Sequence, residues 1–424
     1  MNKTAQIKKN HQFIKLRKLI VVSILIGFLS AFLGISLKKI TEYYEEIFFH
    51  QSNVNPLFLI FFPIFGLSVI YFLRLYMFKK KENKGIKEVF ESTNSKTKNL
   101  PSYKIPSHTI NGLLTVIFGG STGIEVSTVV ATATIGSVAQ QKENVFRQYK
   151  TELICAGVAA GITALFSSPI AGILFALEVI SRKVTRAFVI SNLIAVSIAF
   201  GLLTILKEQP LFDVSISTWH FRAIPYFILL GILAGINSVY LTKCVLFFKS
   251  QFAKIETHYY KIIIGSVILS ISLFIFPQLY GEGYHAIKTI TTANNEIPLT
   301  LTLAFTFIGV LLLKPIVTSI TLASGGDGGV FAPSLFIGAF LGLLVASVLN
   351  TFFDTQIIPI NFMVIGMAAV LSASIHAPFT AIFLVCGLTN NYTLFFPILA
   401  ACLISKYTAK MIYPNTVYTF VPSI

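Results

Sequence analysis

Residues 328–334, Gly-Gly-Val-Phe-Ala-Pro-Ser, interrupt a long apolar region and lead directly into a helix-compatible run. Residues 121–127, Ser-Thr-Gly-Ile-Glu-Val-Ser, make a similar break earlier in the chain. A helix that begins inside a membrane leaves its first backbone N–H groups without intrahelical acceptors, at the positive end of the helix dipole. Two such ends directed at one point would bind an anion without a buried lysine or arginine. The two breaks therefore predict an anion site that the rest of the chain assembles.

The composition indicates a polytopic membrane protein. Of the 424 residues, 54% are hydrophobic and 12% charged, and the mean hydropathy is +0.77. Soluble domains contain about 25% charged residues. Apolar runs of helix length recur from Leu19 to the C-terminus, and they are too long and continuous for membrane β-strands. We therefore expect an all-α membrane protein.

The distribution of charge predicts the topology and excludes nucleic acid as a partner. The net charge is +16, from 33 basic and 17 acidic residues. The basic residues lie in short segments between apolar runs, as the positive-inside rule requires. Clusters of this kind precede the first run and follow the second at residues 79–81, so the N-terminus is expected in the cytoplasm. The four cysteines are scattered without metal spacing, and we expect neither a metal nor a cofactor.

The apolar pattern divides the chain into two halves. We expect a cytoplasmic N-terminal segment at residues 1–17, a first half at 18–206, a polar interface connector at 207–223 and a second half at 224–424. The expected helical runs extend from Leu19 into the 40s and then cover roughly residues 56–78, 113–118, 126–140, 154–166, 169–180, 187–206, 224–248, 262–276, 299–320, 331 onwards, 362–373, 378–387 and 393–404.

An internal repeat links the two halves. Residues 157–160, Gly-Val-Ala-Ala, match Gly-Met-Ala-Ala at 366–369, an offset of 209 residues. Residues 169–173, Pro-Ile-Ala-Gly-Ile, match Pro-Phe-Thr-Ala-Ile at 378–382 with the same offset. An ordered series of matches is a repeat signal, and paired breaks at corresponding positions indicate a transport site at the repeat interface. Hydropathy leaves open whether the repeats are parallel or inverted.

With these motifs the chain resembles the CLC family of chloride channels and anion/proton exchangers, over roughly residues 18–424. Gly329 and Pro333 belong to a segment that reads as the family's Gly-x-Phe-x-Pro motif. Pro169 and Glu178 lie in a segment similar to its Pro-x-Ala-Gly-x-x-Phe-x-x-Glu helix. The resemblance implies a CLC-type fold of two repeated halves with broken and re-entrant helices. It also implies a homodimer with one pathway per subunit, and we expect no regulatory domain after the membrane region.

Glu125 is the first candidate for a functional residue. It is a lone carboxylate in an apolar region broken by glycine, and an acid within a membrane is a functional hypothesis by default. Its oxygens could occupy the place of an anion, and protonation would remove this competition. The alternative is a glutamate that caps a helix or faces water. The resemblance implies the role of gate and proton carrier.

The resemblance also assigns anion ligands. Tyr418 matches the family's C-terminal tyrosine, whose hydroxyl coordinates the central anion, although tyrosine is also common at membrane interfaces. Backbone N–H groups of Val330 and Phe331 should supply donors from one helix end. Those of Ile124 and Glu125 should line the outer part of the path.

The chain departs from the family pattern at three places. Lys84 replaces the serine that contacts the anion from the inner side, and it is either an electrostatic anion ligand or a solvated cytoplasmic lysine. In the family's Gly-Arg/Lys-Glu-Gly-Pro motif only Gly123 and Glu125 survive, although a serine two residues later could cap the helix. Val179 stands where exchangers carry an inner proton-relay glutamate, and valine cannot carry a proton. If proton movement is coupled to anion movement, the proton must then pass through water or Glu178. Otherwise the protein is a passive channel.

We therefore expect a multi-pass protein of the cell membrane, as in a bacterial inner membrane, that transports chloride or a similar monovalent anion through a pathway gated by a glutamate. A channel of the voltage-gated type and a chloride/proton antiporter both fit, and passive conduction without proton coupling is the alternative. A membrane-embedded enzyme would need paired aspartates, a Ser/His pair or a histidine-rich metal constellation. The seven histidines are dispersed, so we expect no enzyme. A scaffold without transport would leave Glu125 and both breaks without a purpose.

Overall fold

The computed structural model describes residues 3–78, 84–95, 97–142, 144–212, 214, 216, 218–292 and 300–418. These residues form sixteen α-helices, a few short 3-10 or π turns and no β-strand. The helices are α1 Lys3–Val54, α2 Phe58–Tyr76, α3 Ile86–Asn94, α4 Lys104–Ile117, α5 Glu125–Gln141, α6 Lys150–Phe166, α7 Pro169–Phe175, α8 Arg186–Ile205, α9 Ile224–Ala253, α10 His258–Ile275, α11 Tyr284–Thr292, α12 Leu301–Ala323, α13 Phe331–Phe353, α14 Pro359–Ile375, α15 Pro378–Thr389 and α16 Phe395–Ile412.

The prediction of an all-α membrane protein is confirmed. In the described part of the chain, nine helices are long and apolar enough to cross a membrane. The most apolar window of α13 is 89% buried, whereas that of α2 is 28% buried. Both helices are apolar, so a membrane accepts either against lipid, and it is the buried fraction that shows which of them other helices surround. Helix α13 is therefore central, packed along α14, and α2 is peripheral.

The helices that carry the repeated motifs begin at matching positions. Helices α6 and α14 begin at residues 150 and 359, and α7 and α15 begin at 169 and 378, so each pair is 209 residues apart. Helices α7 and α15 pack against each other, and the Ser168 hydroxyl donates to the carbonyl of Phe383 at 2.9 Å. The two sets of repeated motifs therefore meet in the structure. The division of the chain into halves remains a prediction, and the lysines at residues 79–81 lie outside the described residues.

The sequence predicts a polar connector at the membrane interface over residues 207–223, but the middle of this segment is buried. Leu211, Phe212, Val214 and Ile216 are buried in the main apolar cluster. The backbone N–H of Phe212 donates to the carbonyl of Leu388 at 3.1 Å. The alternation of apolar with polar side chains lets these four residues pack into the bundle, whereas Lys207, Gln209 and residues 220–222 are exposed.

The loop between α12 and α13 is anchored on α4. The Asp327 N–H donates to the Thr115 hydroxyl at 2.9 Å, and the Asp327 carboxylate lies 3.1 Å from Nδ1 of His108. Asp327 thus serves the turn, as an acid in a glycine-rich loop usually does. These contacts fix the approach of the chain to the start of α13.

Candidate anion site

The two broken segments meet at the centre of the molecule. The Gly329 N–H donates to the carbonyl of Gly123 at 3.2 Å, and the two residues form an isolated antiparallel bridge. The Thr122 hydroxyl donates to the carbonyl of Gly329 at 2.8 Å. Helix α5 begins two residues after Gly123, and α13 begins two residues after Gly329. The amino ends of both helices therefore face the same small region, as an anion site requires.

Two glycines permit this close approach. A Cβ atom on Gly329 would overlap the side chain of Val126, and one on Gly123 would overlap the carboxylate of Glu125. A side chain at either position would push the helix ends apart. Pro333 follows in the first turn of α13, where its missing N–H costs no intrahelical hydrogen bond.

The carboxylate of Glu125 lies at this junction and is almost fully buried, with 2% exposure. Its Oε1 accepts a hydrogen bond from the Tyr284 hydroxyl at 2.7 Å. Its Oε2 is turned toward Gly123, and no described residue gives this oxygen a hydrogen bond of full geometry. The carboxylate also lies near the Ala332 backbone at the start of α13. The carboxylate therefore stands at the positive end of α13, where a free anion would also be stabilised.

Tyr418 reaches the same helix end. Its hydroxyl is buried, close to the Val330 backbone and 3.4 Å from the position that a Cβ on Gly329 would take. No described residue completes a hydrogen bond to this hydroxyl. The Tyr418 ring lies 6.4 Å from that of Phe331, measured between centroids. A buried hydroxyl at a helix amino end could donate to an anion held by the first amides of α13.

The Ile124 amide is bound by a side chain of the protein in this structure. Its N–H donates to Oε1 of Glu282 at 2.9 Å, so a carboxylate of the protein occupies this donor. Glu282 lies between the predicted apolar runs 262–276 and 299–320, where the hydropathy pattern gives no signal for a site. That the Ile124 amide lines the outer part of the path remains a prediction.

A buried cluster of charges surrounds this contact. Lys314, with 0% exposure, donates from Nζ to the carbonyls of Leu279 at 3.3 Å, Gly281 at 3.1 Å and Glu282 at 3.5 Å. The Glu282 N–H donates to Oε1 of Glu45 at 3.0 Å. Isolated charges are costly at membrane depth, so such groups occur paired and hydrogen-bonded. In the sequence, the signal that indicates this cluster is the single lysine, Lys314, within the apolar run 301–323.

Two departures from the family pattern, Lys84 and Val179, lie just before α3 and in the π turn after α7. Lys84 is exposed just before α3, and the neighbouring Gly85 approaches Val126, with a Cβ position 3.4 Å from the Val126 side chain. Lys84 therefore lies near the α5 end of the site, and its role as an anion ligand remains a prediction. Val179 packs against the apolar core in the π turn Ala176–Ser181.

Glu178 links this π turn to α15. Its Oε2 accepts from the Thr380 N–H at 2.8 Å and from the Thr380 hydroxyl at 2.6 Å. Thr380 lies in the first turn of α15, after Pro378, and Pro169 opens α7 in the same way. The carboxylate thus caps the amino end of α15 across the interface of the repeated helices.

Replacing Glu178 by alanine is expected to lower the free energy of unfolding by about 1.5–3 kcal/mol, because hydrogen bonds to a charged group are lost at a half-buried helix end. Unfolding titrations in mixed detergent micelles would measure this change. Glu256→Ala is the control, since Glu256 is exposed between α9 and α10, and its effect should stay within about 0.5 kcal/mol. Equal stability of both variants would show that the Thr380 contacts contribute nothing.

Taken together, the spanning helices and the paired helix ends around a buried carboxylate define a membrane transport protein for anions. A family model described as voltage gated chloride channel matches residues 65–410. The chain therefore belongs to the voltage-gated chloride channel family, which is the CLC family, and the resemblance found in the sequence is confirmed. It is a multi-pass membrane protein and not an enzyme.

Relatives and solved structures agree with this assignment. The chain is 28% identical to the voltage-gated ClC-type chloride channel ClcB of Escherichia coli and to that of Shigella flexneri, over 72% of each chain. It superposes on a slow cyanobacterial Cl−/H+ antiporter with a TM-score of 0.80 and 22% identity, covering 95% of this chain and 96% of the other. A CLC-type fluoride/proton antiporter gives 0.78 and 24%, covering 95% and 97%. The CLC-type fold is therefore confirmed.

Proposed function

We propose that this protein carries chloride, or a similar monovalent anion, through a pathway that the Glu125 side chain opens and closes. The observation that supports this proposal is the position of its carboxylate at the shared helix ends, near the Ala332 backbone, with one oxygen bonded to Tyr284 and the other beside Gly123. An anion and this carboxylate compete for the same positive region. A neutral side chain at position 125 removes the competitor.

Within the pathway, the first amides of α13 at Val330 and Phe331 and the Tyr418 hydroxyl would hold the anion without a formal positive charge. Such neutral donors bind a monovalent anion weakly enough for release, which conduction requires. Lys84, exposed near the start of α5, would attract anions to the inner mouth. We propose a homodimer with one such pathway per subunit, which light scattering of the purified protein in detergent would test.

The test is a flux measurement with purified protein in liposomes under a chloride gradient. Chloride efflux and external pH are recorded together for wild type and Glu125→Gln, with Lys84→Ser in the same assay. We expect wild-type chloride efflux to depend on pH, and this dependence to be shallower in Glu125→Gln, because the glutamine cannot be charged. Lys84→Ser should reduce the rate severalfold, by the loss of one charge near the mouth.

The same records separate the two mechanisms. Proton uptake that matches chloride efflux and disappears in Glu125→Gln would establish exchange, with a proton route that bypasses Val179. Chloride efflux without proton movement would establish a channel in which Glu125 only gates. An absence of anion flux from folded wild-type protein, with chloride, nitrate and fluoride, would refute the proposed function.

A further inference from the structure

Glu282 holds a defined position on the side of Glu125 that faces the end of α1. Its side chain, in a residue only 3% exposed, reaches the Ile124 amide at 2.9 Å. Its backbone N–H and carbonyl are bound by Glu45 and Lys314. These backbone hydrogen bonds therefore fix the position of residue 282, and its carboxylate can accept from the Ile124 amide, which precedes α5.

A cavity of about 180 Å³, partly open to the protein surface, has Glu282 among its lining residues. It is lined by the three glutamates near the end of α1, by Glu282 and by Tyr284, whose hydroxyl bonds to Glu125. The end of α1 lies opposite the basic N-terminal segment, and the positive-inside rule places it on the outer side of the membrane. External water can therefore reach Glu282 before it reaches Glu125.

Burial and the neighbouring carboxylates favour the protonation of Glu282. The titratable groups that face it or share its cavity are Glu42, Glu45, Glu46, Glu125, Tyr280, Tyr284, His285, Lys288 and Lys314. Five of the residues in this region, Glu282 included, are carboxylic acids, and clustered carboxylates cannot all be ionised at neutral pH at low cost. Exchange of a proton between this cluster and external water changes the charge on the group that occupies the Ile124 amide.

We propose that Glu282 is a second carboxylate gate, on the outer side of Glu125. In its ionised form it occupies the Ile124 amide, which an anion entering from outside would otherwise bind. A proton from external water converts it to a carboxylic acid, a weaker acceptor. The Ile124 N–H then breaks its bond to Oε1 and donates to the anion, and the proton returns to the external solution when the anion has left. This inference rests on the anion transport proposed above.

The competing explanation is that Glu282 only caps the Ile124 amide. If Glu282 is only a cap, it does not make anion flux depend on external pH. Glutamine at position 282 would then leave transport unchanged, because its carbonyl can accept the same hydrogen bond. The two explanations therefore differ in how external pH acts on flux. Because both backbone contacts of residue 282 remain in any side-chain variant, the position of the turn should be conserved.

The first experiment measures anion efflux from liposomes at fixed internal pH and external pH from 5 to 8, for wild type, Glu282→Gln, Glu282→Ala and the exposed control Glu256→Gln. At external pH 8 we expect both Glu282 variants to be faster than wild type by about tenfold, from the loss of one charge-assisted competitor. Their dependence on external pH should also be shallower, while Glu256→Gln follows wild type. If both folded Glu282 variants have the same efflux rates and the same dependence on external pH as wild type, the proposal of a second gate is wrong.

A second measurement needs no change at residue 282. In Glu125→Gln the first gate is always neutral, so any dependence of chloride binding on pH must arise elsewhere. Isothermal titration calorimetry of this variant in detergent should still show tighter chloride binding at pH 5 than at pH 8, and Glu125→Gln/Glu282→Gln should lose the difference. Binding independent of pH in Glu125→Gln would overturn the inference even if Glu282 variants fail to fold. Absent anion flux in wild type would instead refute the proposed function itself.

Discussion

Replacing Lys314 by methionine is expected to lower the free energy of unfolding by about 3–5 kcal/mol, the usual cost of removing one partner from a buried charge cluster. The ammonium group is fully buried in α12, donates to three carbonyls and lies 4.5 Å from the Phe336 ring centroid. Methionine has a similar length but offers no donor and no charge. The nearby carboxylates of Glu45 and Glu282 would then lose their central cation.

This loss is measurable by unfolding titrations in mixed detergent micelles, followed by the fluorescence of Trp219, the only tryptophan of the chain. The control is Lys254→Met at an exposed position, for which we expect a change within about 0.5 kcal/mol. Adding Glu45→Gln to Lys314→Met should restore part of the stability, because the repulsion among carboxylates falls. A Lys314→Met protein as stable as wild type would show that the cluster is neutral and does not need its lysine.

Replacing Gly329 by alanine is expected to reduce anion flux by about a hundredfold, since a displacement of about 1 Å among positioned donors has effects of this size. The added methyl group would overlap the Val126 side chain at the start of α5. The helix ends must then separate, and the amides of α13 no longer face the anion together with Tyr418. Overpacking of this kind also costs about 1–3 kcal/mol of stability.

The chain offers both a rescue and a matched control. Val126→Gly removes the side chain that the new methyl group would meet, so the double variant Gly329→Ala/Val126→Gly should recover flux relative to Gly329→Ala. Gly201 in α8 has no neighbour within 4 Å of an added Cβ, so Gly201→Ala should leave flux unchanged. Normal flux in Gly329→Ala would show that the contact of the two helix ends tolerates expansion.

Much of the fold could be predicted because it depends on local patterns. Each predicted apolar run corresponds to a helix, and the starts at Phe331 and Pro378 agree to the residue, since Gly and Pro mark helix ends sharply. The helix at residues 284–292 was not predicted, because its mixed composition resembles that of a loop. The burial of Leu211, Phe212, Val214 and Ile216 within the connector was not predicted for the same reason: four apolar side chains among polar ones do not form a continuous run.

The candidate site was predicted only where one segment carries a motif. Gly123, Glu125, Gly329 and Pro333 were found because the breaks interrupt apolar helices. Glu282 and Tyr284 lie 158 and 159 residues from their partners in the α5 segment, and no local pattern joins such distant positions. They are brought together by packing of α11 and the preceding turn against the central helices, which only the folded structure reveals.

The bridge between Gly123 and Gly329 has a consequence for biosynthesis. Residue 332 is synthesised 207 positions after residue 125, which takes about 10–40 s at 5–20 residues per second. For the first 159 of these positions Tyr284 has not yet been made, and the start of α13 is missing until the end of the interval. The nascent first half must therefore wait in the membrane with its acid neutralised by a proton or solvated by water. The time at which translation passes residue 332 sets the earliest moment at which a closed, ion-tight subunit can exist.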